Sequence, residues 1–208
     1  SPVDLTQVTP IARLTGDPLV VVVPSSSSIQ TIDDLLAAIK ADVGSTVWAG
    51  GSAGGADHML AALLTEAAEQ DPGLVNYVAY SGGGEALAAM LGGQVSAGIS
   101  GYGEWQAQIE SGDLRALAIS YPEPIEGIEA QPLKAQGIDV ELVNWRGVFA
   151  GPDISEEDKA RLSTAFETMV ASPEWKEVLA ARGWTDYYMP ADEFATFLTG
   201  ETERVRSV

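Results

Sequence analysis

An α/β fold with a mostly parallel sheet is predicted by three features of this chain. Short β-branched runs alternate with amphipathic helical stretches from Leu19 to Ser120. Glycine-rich turns join a strand to a helix twice, at Gly50-Gly51-Ser52-Ala53-Gly54-Gly55 and at Ser81-Gly82-Gly83-Gly84. Helix-capping signals then recur through the C-terminal third, at Ser155, Ser172-Pro173 and Pro190-Ala191-Asp192.

Taken in order, Pro2 to Leu14 starts polar and becomes strand-like, and Leu19 to Val23 is a buried strand ended by Pro24 and four serines. Thr31 has Asp34 three residues on, the pattern of a capping box, and opens a helix to about Ala41. Ser45 to Ala49 is a short strand and Ala56 to Glu69 a helix; Leu74 to Tyr80 is a strand and Glu85 to Leu91 a helix, stopped by Gly92-Gly93. Val95 to Ser100 returns as a strand, a short helix covers about Glu104 to Glu110, and Leu114 to Ser120 is an apolar strand. Tyr121 to Gly137, rich in Pro and Glu, is a loop with one short helix near Leu133. A strand from about Val140 to Ala150 follows, and the remainder is expected to be helical: Glu156 to Val170, a second helix to about Arg182, and a last one from Pro190.

Composition removes several functional classes. The 208 residues carry 11 basic and 30 acidic side chains, a formal charge of −19. Such a surface repels nucleic acid and anionic lipid, so neither is an expected partner. Cysteine is absent, which excludes disulfides, thiolate metal sites and cysteine nucleophiles. No apolar run approaches the roughly 20 residues of a membrane span, so direct membrane insertion is not expected.

The two elbows carry the binding chemistry. Glycine lets a ligand approach bare backbone, and the free N–H groups of a helix's first turn carry partial positive charge. Two such turns at the carboxyl ends of neighbouring parallel strands would converge on one crevice, where open α/β sheets hold ligands. An anion, such as a carboxylate, is the natural guest. Tight strand-to-helix connections need the same glycines, so that structural role stays open. Neither elbow is a nucleotide motif: the first lacks the Lys-Ser/Thr ending of a P-loop, and the second does not continue as G-x-G-x-x-G.

Gly50-Gly51-Ser52-Ala53-Gly54 also matches the nucleophile elbow G-x-S-x-G. His58, the only histidine, lies six positions after Ser52 on the helix that the elbow itself starts, where it is badly placed to act as general base. No catalytic residue is assigned. Asp57 and His58 either line the crevice or serve the helix start locally, and no metal-ligand spacing is recognisable. Among aromatics, Tyr102 follows a strand on the ligand side of the sheet, while Tyr80 and Trp145 are weaker candidates. Trp48, Trp105, Trp175 and Trp184 are expected to pack in the core or between helices.

The order of these pieces resembles the solute-binding receptors of tripartite tricarboxylate transporters, the Bug-type family. The resemblance runs through Thr9-Pro10-Ile11-Ala12-Arg13-Leu14, Pro18 to Pro24, Thr31-Ile32-Asp33-Asp34-Leu35, Gly50 to His58, and Val78 to Leu87. It continues through Leu91-Gly92-Gly93-Gln94-Val95, Gly112 to Ala118 and Trp145 to Pro152. It implies a type II periplasmic-binding-protein fold: one complete lobe plus the C-terminal part of a second, whose N-terminal part would precede Ser1. On that reading 1–17 is a hinge or crossover strand region and 18–143 the complete ligand-binding lobe. Residues 144–208 are then the return hinge strand and the C-terminal helices of the incomplete lobe. The hinge strands would lie near Val8 to Leu14 and Trp145 to Ala150.

The resemblance further implies capture of a di- or tricarboxylate or related metabolite, hinge closure, an extracytoplasmic location in a bacterial envelope, and delivery to membrane transporter subunits. It implies no cofactor. Family contacts map onto Ser52, Ala53, Gly54, Gly55 and Ala56 of the first elbow and Ser81, Gly82 and Gly83 of the second; Asp57 and Tyr102 complete the candidate set. A threonine common in the family is missing from Gly55-Ala56-Asp57-His58, so backbone donors carry more of the grip. Asp57 either faces a ligand amine or hydroxyl or points away. The alternative from another class is the effector-binding domain of a transcription regulator, which shares the fold.

Overall fold

The computed structural model describes residues 5–207; the first four residues of the 1–17 segment, and Val208, lie outside them. The elements, in chain order, are β1 (Thr9–Pro24), α1 (Ile32–Ala41), β2 (Val47–Gly50), α2 (Ala56–Ala67), β3 (Asn76–Ala79), α3 (Gly83–Leu91), β4 (Ala97–Gly101), α4 (Tyr102–Glu110) and β5 (Leu114–Ile119). They continue with β6 (Val143–Ala150), α5 (Glu156–Val170), α6 (Pro173–Arg182), β7 (Thr185–Pro190) and α7 (Ala191–Ser207). The chain divides into two compact units: Ser1–Asp17 with Trp145–Val208, and Pro18–Asn144.

The strand expected at Leu19 to Val23 is the second half of a 16-residue strand that serves both units. Its first half pairs with β7 from Ala12 to Gly16, and its second half pairs with β4 from Leu19 and with β5 from Val20. Asp17 and Pro18 fall between those registers. Proline has no N–H to give a ladder, and here it sits where the strand changes partners.

In the 18–144 unit the sheet order is β3-β2-β4-β1-β5. β2 runs parallel to β3 and β4, whereas β1 is antiparallel to both β4 and β5. The sheet is therefore mixed, where a mostly parallel one is expected from the sequence: β2, β3, β4 and β5 run one way and β1 runs against them, so two of its four pairings are antiparallel. Alternation along β1 sends Leu19, Val21 and Val23 to one face, with Ile32, Leu35 and Ile39 of α1 and Leu60, Ala61 and Leu64 of α2. Val20 and Val22 go to the other, with Ala86, Ala89 and Met90 of α3 and Tyr102 and Trp105 of α4. Burial on both faces is why this strand is a continuous apolar run.

Local signals set the helix starts. Thr31 and Asp34 form a reciprocal capping box, and the Ser155 and Ser172 side chains accept from the amides of Asp158 and Trp175. In the other unit Phe194 of α7 is fully buried, and Trp145 meets Phe194 and Phe197 edge-on at 5.5 and 5.6 Å. The Arg13 guanidinium lies 3.6 Å over the Tyr187 ring while its Nε donates to the Tyr187 carbonyl at 2.9 Å. Tyr187 belongs to β7, which corrects the expectation that everything after Ala150 is helical.

Candidate functional site

Three helices of the 18–144 unit begin at the carboxyl edge of the parallel strands, and each has a glycine at its N-cap: Gly55 for α2, Gly82 for α3 and Gly101 for α4. None of these caps supplies a side-chain hydrogen bond. The first-turn amides are thus left for another acceptor. The chain passes from β2 outward to β3 and then back beside β2 to β4, with α2 and α3 on opposite faces. That reversal makes the ends of β2 and β4 a topological switch point. Gly50 is paired with Ala79 across the β2–β3 ladder, and the Tyr80 amide donates to the Gly50 carbonyl at 2.9 Å. The two elbows therefore leave the same edge side by side, then part to opposite faces.

The first elbow is tightly tied. A Cβ at Gly50 would lie 2.9 Å from Asp57 Cβ and 3.0 Å from the Ile99 carbonyl oxygen, so only glycine fits. Gly51 is held on both sides: its N–H donates to Asp57 Oδ2 at 2.7 Å, and its carbonyl accepts from the Tyr77 hydroxyl at 3.0 Å. Gly54 adopts φ +77°, and its N–H donates to His58 Nδ1 at 3.0 Å. The His58 ring stacks on Tyr77 with centroids 4.4 Å apart. Burial, and then the charge of Asp57, push the Tyr77 hydroxyl above its ordinary pKa, so it stays a donor.

At the second elbow the Ser81 amide donates to Glu85 Oε2 at 3.1 Å, and the buried Trp105 Nε1 donates to the Gly83 carbonyl at 2.9 Å. Ser100 Oγ donates to Glu104, whose carboxylate packs against Gly83.

The candidate residues thus separate by role. Among the described residues no hydrogen bond occupies the amides of Ser52, Ala53, Ala56, Gly82 or Gly83. The amides of Gly54, Gly55 and Ser81 are taken by His58, the Ser52 carbonyl and Glu85, so these three shape the turns and do not offer N–H groups. Asp57 is turned back onto its own elbow. Tyr102 is 6% exposed and packs in the core on the α4 side, where burial and then Glu110 and Glu129 raise its hydroxyl pKa. Tyr80 is half-buried against that same core. Trp145 is engaged in the other unit, its Nε1 donating to Glu201 at 3.1 Å. His58 faces Gly54 and Tyr77 in place of Ser52.

Tyr77, Glu85 and Glu104 were missed from sequence. Glu85 and Glu104 each stand four residues after a serine they bond, Ser81 and Ser100, a spacing that was available as a signal. Tyr77 gave no local signal, because its partners lie across the sheet. The unit's three basic residues are engaged elsewhere. Lys40 pairs with Glu69 and Lys134 with Glu141, while Arg115 donates to the carbonyls of Ser25 and Ile29. What this unit itself offers an anion at this edge is main-chain N–H groups.

Among the described residues no helix is long and apolar enough to cross a membrane, and no group of three or more His, Cys, Asp or Glu side chains could hold a metal ion. The family model described as tripartite tricarboxylate transporter family receptor matches residues 2–208. Among curated proteins the chain is similar to Protein BugT of Bordetella pertussis, 29% identical over 203 residues, covering 96% of this chain and 61% of that protein. The chain spans about three fifths of the length of the curated relatives it matches. Among solved structures it resembles a TctC solute binding protein from Polaromonas at TM-score 0.81 and 24% identity, over 100% of this chain and 70% of that one. It also resembles an R. palustris protein solved with adipate, at TM-score 0.83 and 19% identity, over 99% and 69% of the two chains. Both likenesses show the fold, an α/β architecture shared with periplasmic binding proteins, of whose solved chains this sequence covers about 70%.

Proposed function

The chain belongs to the tripartite tricarboxylate transporter receptor family, and on that premise we propose that it captures a small carboxylate, a di- or tricarboxylate or a related metabolite, through its 18–144 lobe. The ligand carboxylate takes the open amides of Ser52, Ala53 and Ala56 at the start of α2, or those of Gly82 and Gly83 at the start of α3. The protein works outside the cytoplasm of a bacterium and passes its ligand to membrane transporter subunits. It performs no chemistry on the ligand. The adipate seen with one structural neighbour is of the same chemical kind.

One observation carries this reading: two neighbouring helix starts have glycine N-caps, and among the described residues no hydrogen bond occupies their open amides at one sheet edge. Helix N-termini with free amides accept anions without a basic side chain. No specific observation favours the regulator alternative.

Titration calorimetry of the protein against malate, adipate, succinate and citrate tests it. Saturable binding of at least one is expected, and absence of binding to all four contradicts it. A fluorophosphonate probe tests the absence of hydrolase chemistry: no labelling of Ser52 is expected.

A further inference from the structure

We infer that Tyr77, Asp57 and His58 are positioning residues, which clamp the first elbow so that the amides of Ser52 and Ala53 face outward. This rests on the functional reading above and concerns the same site. The loop carries Gly51 and Gly54 on either side of Ser52-Ala53, and such a sequence is costly to hold in one shape. Each flanking glycine is pinned. Asp57 takes the Gly51 N–H and Tyr77 donates to the Gly51 carbonyl, so the peptides on both sides of Gly51 are fixed. His58 takes the Gly54 N–H, and the stacked Tyr77 ring fixes the imidazole plane. One aromatic residue from β3 therefore supports both anchors, and both anchors spring from the first turn of α2. A loop fixed before the ligand arrives loses less entropy on binding, so these side chains act on affinity through the loop.

The clamp has a chemical signature. Nδ1 of His58 accepts the Gly54 N–H, a bond that only an imidazole with its proton on Nε2 can take. A proton on Nδ1 turns the acceptor into a donor facing the Gly54 N–H, and that anchor opens. The titratable groups set against His58 are Tyr77, stacked on its ring, and Asp57, its chain neighbour. Acid should therefore loosen the loop while the rest of the lobe stays folded.

Nuclear magnetic resonance of the ligand-free protein tests this apart from any capture of carboxylate. The His58 ring and the amides of Gly51, Ser52, Ala53 and Gly54 are followed from pH 8 to 5. The Gly54 amide is expected to shift in step with the ring, with its exchange protection falling about tenfold once intrinsic exchange is corrected. In His58→Gln, which retains an acceptor and does not titrate, that step should vanish while Ser52 and Ala53 stay ordered. In Tyr77→Phe, the carbonyl resonance of Gly51 should shift at every pH, because its donor is gone. A Gly54 amide indifferent to the His58 proton, or Ser52 and Ala53 equally ordered in the wild type at pH 5 and 8, overturns the clamp. Because no ligand is present, a failed carboxylate titration leaves this result unaffected.

Discussion

Asp57 Oδ2 accepts the Gly51 N–H at 2.7 Å, so a residue of the α2 first turn closes the loop that leads into its own helix. The carboxylate favours the positive end of α2 and orders the turn, yet it places a negative charge beside amides assigned to a carboxylate ligand. Asp57→Asn keeps an acceptor and removes the charge. Affinity for a dicarboxylate such as malate is expected to rise severalfold at low ionic strength, on the order of 1 kcal/mol for one partly solvated charge. The gain should shrink with added salt. Calorimetry at two salt concentrations checks both; unchanged affinity would place the ligand away from this elbow.

Trp105 supports the second elbow from beneath. It is fully buried, and its indole N–H satisfies the Gly83 carbonyl at the start of α3. Trp105→Phe leaves that carbonyl without its donor and opens space in the core. A loss of about 2 kcal/mol or more is expected in urea unfolding.

How far the sequence was legible divides along the range of the interactions. The caps at Thr31, Ser155 and Ser172 lie within four residues of what they cap, and all three were readable. The two glycine elbows were readable for the same reason. The full length of β1 was not, because Gly16-Asp17-Pro18 has the composition of a break and continues as strand only through partners such as Gly101 and Thr185. β7 was hidden because Thr185–Pro190 has no clean alternation and gains its pairing from Ala12 to Gly16. At the site the positions of Gly51 and Gly54 were visible. That Tyr77 and His58 fix them was not, since the stack joins β3 to α2.

Gly50 tests how closely the first elbow is packed. An added methyl group would fall on Asp57 Cβ, the Ile99 carbonyl and the Tyr77 hydroxyl. Backbone cannot yield as a long side chain can, so Gly50→Ala is expected to cost about 1–3 kcal/mol. The Tyr77–Gly51 contact should be lost with it. Thermal unfolding measures the first effect, and the ¹³C shift of the Gly51 carbonyl the second.

Glu201 gives the other unit an acid-sensitive element. Burial alone would raise its pKa, but hydrogen bonds from Arg204 and Trp145, together with the charges of Arg204 and Arg13, outweigh burial and hold it below the ordinary glutamate value. A carboxyl with a depressed folded-state pKa stabilises fully above its unfolded value, and that contribution is lost as pH falls through the folded one. Glu201→Gln should therefore cost about 1 kcal/mol near neutrality. The difference from wild type should fade below the ordinary glutamate range. Denaturant unfolding at pH 7 and in mild acid measures it.

The open amides at the two helix starts are tested most directly by observing them while ligand is added. In ¹⁵N–¹H spectra recorded as malate, adipate, succinate or citrate is titrated in, the resonances of Ser52, Ala53 and Ala56, or those of Gly82 and Gly83, should move together and saturate at one stoichiometry. Saturable binding with those five amides unmoved would contradict main-chain capture at this sheet edge.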